Sequence, residues 1–222
     1  MKLKRMPVLS RTDAVAETLR ELILSSELRA GQRLNLDIIA EQLGVSRMPV
    51  REAVKQLEGE GLVTIYPHRG IEVSRLDIAD IEEIFDLRVL LEARAVELAV
   101  PRLTKGDLDV MEAALTRMDR ADVSAKVWMD QNRIFHEVVN VACGSSRLVA
   151  LIASLRGNVE RYIRAYLTVR GREHPQRQHH ELFEACRAGD APRAVEVISA
   201  HVGDTARMLV AALQKEKDGA AR

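Results

Sequence analysis

Cysteine is nearly missing from this chain: two occur in 222 residues, Cys143 and Cys186, both inside apolar helical stretches and neither in a CxxC or Cys/His spacing. That excludes a disulfide framework and a cysteine-based zinc module, and it suits free thiols in a reducing compartment. Long apolar runs are missing too. Nothing approaches the ~18 to 20 residues that span a bilayer, and the opening MKLKRMPVLSRTD lacks the apolar core of a signal peptide, so the expectation is a cytoplasmic protein without a membrane partner. Net charge is absent as well, with 33 Lys and Arg against 33 Asp and Glu. An even spread would argue against a polyanionic partner, but the spread is uneven. Residues 1–75 carry 12 basic against 10 acidic side chains, and residues 76–222 carry 21 against 23. Lys2, Lys4, Arg5 and Arg11 all precede the first acid, Asp13, a run that fits either a solvated terminus or an arm for nucleic acid.

With 47% hydrophobic and 30% charged residues, the chain has enough apolar material for two packed domains. The pattern divides near residue 75. Ahead of it, Thr12 and Asp13 start a helix carrying Val15, Leu19, Leu22 and Ile23, and Ala30-Gly31 breaks the chain. Asn35 caps a second short helix closed by Gly44, and Ser46 caps a third over 47–60 with Pro49 harmless in its first turn. Strand formers follow over 62–66, then a Pro67 to Gly70 turn, then a second strand over 71–74. Residues 1–75 therefore read as a winged helix-turn-helix. Six amphipathic stretches follow at about 78–100, 105–121, 126–142, 146–170, 175–188 and 191–214, with Pro and Gly between them. Residues 76–222 read as an all-α bundle, and the fold class is mainly α.

The third helix places Arg47, Arg51 and Lys55 on one stripe, opposite Val50, Val54 and Leu57. Such a helix packs by one face and offers cations from the other. An arginine near the start of a helix in the major groove bonds guanine O6 and N7, and the helix N-terminus suits a phosphate. The stripe alone fits a solvated surface helix equally; a capped basic helix after a glycine turn and before a wing is the DNA-reading arrangement. The run from Leu19-Arg20 through Leu28-Arg29-Ala30-Gly31 and Ala40-Glu41-Gln42-Leu43-Gly44-Val45-Ser46-Arg47-Met48-Pro49-Val50-Arg51-Glu52-Ala53 to Gly61-Leu62-Val63 resembles the signature of GntR-family transcriptional regulators. Ala30-Gly31 replaces that family's usual Pro-Gly. The resemblance implies operator contact by Arg33, Ser46, Arg47, Pro49 and Arg51, with His68, Arg69 and Gly70 in the wing.

Five of the six histidines lie beyond residue 135. His136 follows Asn132 by one helical turn, and His179 and His201 fall on the last two helices. Three imidazoles and an oxygen donor can hold Zn²⁺ or another borderline divalent ion, Ni²⁺ or Mn²⁺; spacing alone fits surface or core histidines equally well. Asn132-Arg133-Ile134-Phe135-His136, His179 with Leu182, Ala185 and Ala188-Gly189-Asp190, and Ala194 with Ala200-His201 resemble the FCD ligand-binding domain of the FadR subgroup, in its six-helix, VanR-like form. The resemblance implies a metal on Asn132, His136, His179 and His201, with His180 the neighbouring competitor for His179. Metal-binding members usually have Asp where this chain has Asn132, which can still ligate through its amide oxygen but leaves the ligands uncharged.

A dication among uncharged ligands calls for a carboxylate, so a small organic acid is the expected effector. Arg88 resembles the family's arginine on the first bundle helix. It either clamps that carboxylate or pairs with Glu92 or Asp86. Arg161, Tyr162 and Arg164 are further pocket candidates. The expectation is a metabolite-responsive regulator, a repressor by resemblance, that binds a pseudo-palindromic operator as a homodimer. Two alternatives stand beside it: a metal-dependent hydrolase fused to a DNA-binding module, which lacks a placed general base, and a nonspecific DNA binder.

Overall fold

The computed structural model describes residues 10–67, 69–170 and 172–220, with side chains except those of 161, 165–170 and 216–220. The chain divides into two compact units, Met1–Arg75 and Leu76–Arg222.

In the first unit, helix α1 (Arg11–Leu24) begins two residues earlier than its sequence signals suggest. Ser10 is the cap: its side chain accepts from the Asp13 N–H while the Asp13 carboxylate accepts from the Ser10 backbone, a reciprocal capping box. Helix α2 (Leu36–Gln42) is capped by Asn35, whose side-chain Oδ1 accepts from the Asp37 and Ile38 backbone N–H groups. Gly44, at φ 63°, then makes the left-handed turn that a side chain would resist. Helix α3 (Arg47–Gly59) follows Ser46, which takes the N-cap position without a side-chain bond to the helix. Val15, Leu19 and Ile23 of α1 and Val50, Ala53, Val54 and Leu57 of α3 are buried in one core with Leu34, Leu62, Val63 and Val73.

The wing has one strand more than the sequence pattern suggests. Strands β2 (Val63–Tyr66) and β3 (Gly70–Val73) form the hairpin, and β1 (Arg33–Leu34) adds to the other edge of β3 in the order β1-β3-β2, all antiparallel. Arg33 faces Glu72, and Val63 faces Val73.

The second unit is helical throughout its described residues: α4 (Ile78–Ala99), a 3₁₀ turn (Val100–Arg102), α5 (Lys105–Met118), α6 (Ala125–Ala142), α7 (Ser146–Arg170), α8 (Glu173–Ala188) and α9 (Ala191–Ala220). Asp77 with Asp80, and Thr104 with Asp107, close capping boxes on α4 and α5. Gly189, at φ 70°, ends α8 and lets α9 turn back along it. Ile81, Phe85, Met111, Trp128, Phe135, Ile152, Leu182 and Ile198 belong to the core. Both cysteines are buried and free, and no described helix is long and apolar enough to cross a membrane.

Candidate functional site

Two groups of side chains carry chemistry, one in each unit. On α3 the apolar stripe is spent on the core, which leaves Arg47, Arg51 and Lys55 exposed on the opposite side with Ser46 and Met48. Pro49 is half-buried beside them. Arg47 pairs with Asp37 of α2, and Lys55 pairs with Glu52 at 3.0 Å. Arg51 has no ion pair among the described residues, so its guanidinium is available to a ligand. In the wing, Arg33, Arg69 and Gly70 line one shallow cavity of about 160 Å³ with Tyr66, Ile71 and Glu72. The same unit therefore presents two cationic surfaces, α3 and the sheet edge. His68 lies outside the described residues, as do Lys2, Lys4 and Arg5.

The bundle brings His136 of α6, His179 of α8 and His201 of α9 together, with one ring nitrogen of each lying within 4.8 Å of the others. The three rings are buried, and their centroids are 4.7 to 5.1 Å apart. His136 Nε2 and His179 Nε2 are 3.2 Å apart. Two nitrogens each 2.0–2.1 Å from a tetrahedral zinc are roughly 3.3 Å apart, so this pair already has the spacing of metal ligands. Burial pushes His136 and His179 well below the usual imidazole range, helped by Arg156 and the neighbouring rings. It brings His201 down to about 4 against the pull of Glu92. All three are neutral at pH 7 and carry lone pairs, which is the form a metal needs. Trp128 and Phe135 wall the cluster, with ring centroids 5.8 and 5.3 Å from His179. Asn132, one turn before His136, is half-buried with no hydrogen bond to a described residue, so its carboxamide is free to bind.

Beside the histidines lies a buried charge cluster. Glu92 of α4 accepts from Arg88 Nε at 2.9 Å and pairs with Arg156 of α7 at 3.4 Å. Glu92 and Arg88 are buried at 1% and 4% exposure, which makes their pair part of the interior rather than a solvated surface contact. Desolvation opposes the Glu92 charge, but the two arginines outweigh it and hold the carboxyl below its ordinary range. Arg88 Nη1 is buried without a hydrogen-bond partner among the described residues. Two guanidiniums against one carboxylate make this region electropositive. The Tyr162 hydroxyl accepts from the Leu76 N–H at 2.9 Å, and Arg164 pairs with Glu160 at 3.7 Å. The side chain of Arg161 lies outside those described.

Sequence reasoning missed Arg156, and it missed the partners of the histidines. Gln176 and Gln178 of α8 accept from His179 and His201, and Asp119 and Asp204 stand behind them. Most of these contacts cross between helices, where no spacing signal reaches; Gln176 lies one turn before His179 on α8, a spacing shared by many pairs that never touch.

A winged helix followed by a separate helical domain is an arrangement found in transcriptional regulators that bind DNA. Residues 11–73 match the family described as bacterial regulatory proteins, gntR family, and residues 83–204 match the FCD domain. The chain belongs to the GntR family of bacterial regulators and carries an FCD domain. It is 29% identical over 195 residues to the HTH-type transcriptional repressor GlaR of Escherichia coli K12, covering 83% of this chain and 89% of GlaR. It is likewise 29% identical over 187 residues to an HTH-type transcriptional regulator in an unstable DNA locus of Streptomyces ambofaciens, covering 83% and 78%. Among solved structures, a GntR regulator of Rhodococcus sp. RHA1 aligns with TM-score 0.75 at 26% identity, over 91% of this chain and 99% of that one. E. coli McbR/YncC shares the fold, at TM-score 0.78 and 24% identity over 91% and 98%. These families and relatives are transcriptional regulators, which sets aside the hydrolase reading.

Proposed function

We propose that this regulator is a repressor whose grip on a pseudo-palindromic operator is set by a small carboxylate bound at a metal centre in the bundle. The observation that carries the reading is the meeting of three neutral, buried imidazoles from three helices. Asn132, His136, His179 and His201 would hold the ion, zinc first, with nickel or manganese as alternatives. When bound, the ion supplies positive charge and an open coordination position for a carboxylate oxygen. Arg88 and Arg156 add to that field, and the unpartnered Arg88 Nη1 is a donor in reserve for an anion. Arg161, Tyr162 and Arg164 remain candidates for the more distant part of the effector. An effector that binds one arrangement of the bundle more tightly shifts the population toward it, and DNA affinity changes by that difference.

On DNA, Arg47 and Arg51 would read base edges from the start of α3. Ser46 and Pro49 would fit its N-terminus to the backbone, and Arg33, His68, Arg69 and Gly70 would serve the wing. Footprinting upstream of the gene and its neighbours should reveal a protected inverted repeat, released by small organic acids when metal is present. No protected repeat would overturn the reading. Arg51→Ala should cost about 1–3 kcal/mol on the operator with little change on random DNA, and Lys55→Ala should weaken both alike. Competition binding at fixed salt measures this, and equal losses for Arg51→Ala would refute its role.

The homodimer has support on α4. Glu83, Leu87, Leu90 and Arg94 repeat at 4-3-4 spacing along one exposed face, with Leu87 and Leu90 at 43% and 68% exposure. A two-fold axis between residues 88 and 89, with the helices antiparallel, sets Leu87 on the partner's Leu90 and Glu83 on the partner's Arg94. Apolar contact and opposite charge then match under one operation. Leu90→Glu should convert a dimer to a monomer in sedimentation velocity; an unchanged dimer would place the interface elsewhere.

A further inference from the structure

Each of two histidines in the cluster has the same arrangement behind it. His179 Nδ1 is 3.2 Å from Gln176 Oε1, and Gln176 Nε2 donates to Asp119 Oδ1 at 2.7 Å. His201 Nδ1 is 3.1 Å from Gln178 Oε1, and Gln178 Nε2 donates to Asp204 Oδ2 at 2.7 Å. We infer that Gln176 and Gln178 are positioning residues that aim His179 and His201 at a metal and carry to them the negative charge of Asp119 and Asp204.

The chemistry fixes the direction of each chain. An ionised carboxylate only accepts, so it takes the amide N–H of the glutamine and turns the amide oxygen toward the histidine. That oxygen in turn accepts only, so the proton of the neutral imidazole sits on Nδ1, and Nε2 keeps its lone pair for the cluster. Hydrogen bonds from the glutamines hold the aspartates in register. Asp204 also accepts from His174 Nε2 at 3.0 Å and pairs with Arg207, and Asp119 is 3.1 Å from His180 Nε2. Desolvation opposes the Asp204 charge, but hydrogen bonds from His174 and Gln178 prevail and keep its carboxyl below the ordinary range. A carboxylate behind a ligating imidazole raises its basicity and locks its ring. Here each carboxylate acts through one amide, and there are two of them. They offset part of the charge that the ligand set lacks with Asn132 in place of an aspartate. The His136 ring has no such partner among the described residues. With a lone pair on His179 Nε2, the 3.2 Å contact makes His136 Nε2 the donor in the metal-free protein. Metal binding must then move or release that proton.

This inference rests on the metal reading, and two measurements separate the two. Long-range ¹H–¹⁵N spectra of the metal-free, full-length protein should show His179 and His201 protonated at Nδ1 and His136 at Nε2. Gln176→Leu should disturb the His179 tautomer and leave His201 alone, and Gln178→Leu should do the reverse. Zn²⁺ titration against a chromophoric chelator should show each variant weaker by roughly 10- to 100-fold. Asp119→Asn keeps an acceptor for Gln176 at a position that is 43% exposed, so it should fold normally and still weaken Zn²⁺ several-fold. Unchanged tautomers in both glutamine variants, or Zn²⁺ affinities within threefold of the parent for all three, would overturn the inference. A parent protein that binds no Zn²⁺ but shows the expected tautomers would refute the metal reading while supporting the glutamines as the residues that aim the rings.

Discussion

If the histidine cluster holds a metal as proposed, alanine at position 179 is expected to abolish binding, and alanine at the adjacent position 180 is expected to preserve it. His179 belongs to the cluster: its ring lies 5.1 Å from that of His136 and 4.7 Å from that of His201, and it is buried at 1% exposure. His180 points away, with its side chain 49% exposed and its Nε2 beside Asp119. A four-ligand structural zinc site is worth roughly 10–16 kcal/mol, so one ligand contributes about 3 kcal/mol, a factor of about a hundred or more in affinity. Removing His179 leaves two imidazoles and a carboxamide. Metal content by elemental mass spectrometry, on protein purified without an affinity tag or chelator, should fall from about one ion per chain to a small fraction of that. Release from the operator by small carboxylates should vanish with it. Retention in His179→Ala with loss in His180→Ala would move the site by one residue, and retention in both would remove the metal from this cluster.

Why the residues of this cluster were partly legible in the sequence, and their supports not, follows from where the forces act. Asn35, Gly44 and Pro49 could be assigned from local chemistry, since capping, left-handed turns and a missing N–H are settled within a few residues. The winged helix was legible for the same reason. Strand β1 was not: two residues show no alternation, and Arg33–Leu34 become a strand only because β3 lies alongside. Ser46 takes its expected place at the start of α3, yet its hydroxyl makes no bond to the helix. His136, His179 and His201 lie 43 and 22 residues apart, spacings that mean nothing until α6, α8 and α9 pack together. Resemblance supplied them where periodicity could not. Arg156, Gln178, Asp119 and Asp204 had neither kind of signal, because their roles consist of contacts made after the helices have assembled, and Gln176 stands one turn before His179 with nothing in the spacing to mark the pair. The Arg88 to Glu92 spacing was visible, but its burial was not, and burial changes what that pair is worth.

Glu92→Ala is expected to be the most damaging single substitution in the helical unit, for a reason a surface pair would not share. An exposed i,i+4 pair is worth a few tenths of a kcal/mol, whereas removing one partner of a buried pair strands the other and costs about 3–5 kcal/mol. Glu92 is shared by two arginines, and one of them already has an unsatisfied Nη1. Without the carboxylate, Arg88 and Arg156 would face each other and the histidines uncompensated. For a chain of this size each kcal/mol moves the melting temperature by roughly 2–4 °C, so a loss of about 10 °C or more should appear in thermal unfolding of the metal-free protein. Glu92→Gln, which keeps the shape and one acceptor, should lose less. Glu82→Ala, at an exposed position of the same helix away from the Leu87 and Leu90 face, should stay within about 0.5 kcal/mol of the parent. The same carboxylate gives the pH dependence a sign. A folded pKa held below the unfolded one means that the unfolded chain takes up the proton first, so stability falls as the solution is acidified. His201, brought down to about 4 from an unfolded value of about 6.5, acts in the same direction over that interval, and Glu92 continues it below. Acid titration of the metal-free parent should therefore show a steady loss of stability from about pH 6.5 downward, and the part below about pH 4 should be smaller in Glu92→Gln, with Asp204 supplying some of what remains. An acid profile unchanged by that substitution, or a melting point of Glu92→Ala within a degree or two of the parent, would mean that the two guanidiniums find water or another partner and that Glu92 is not what holds them.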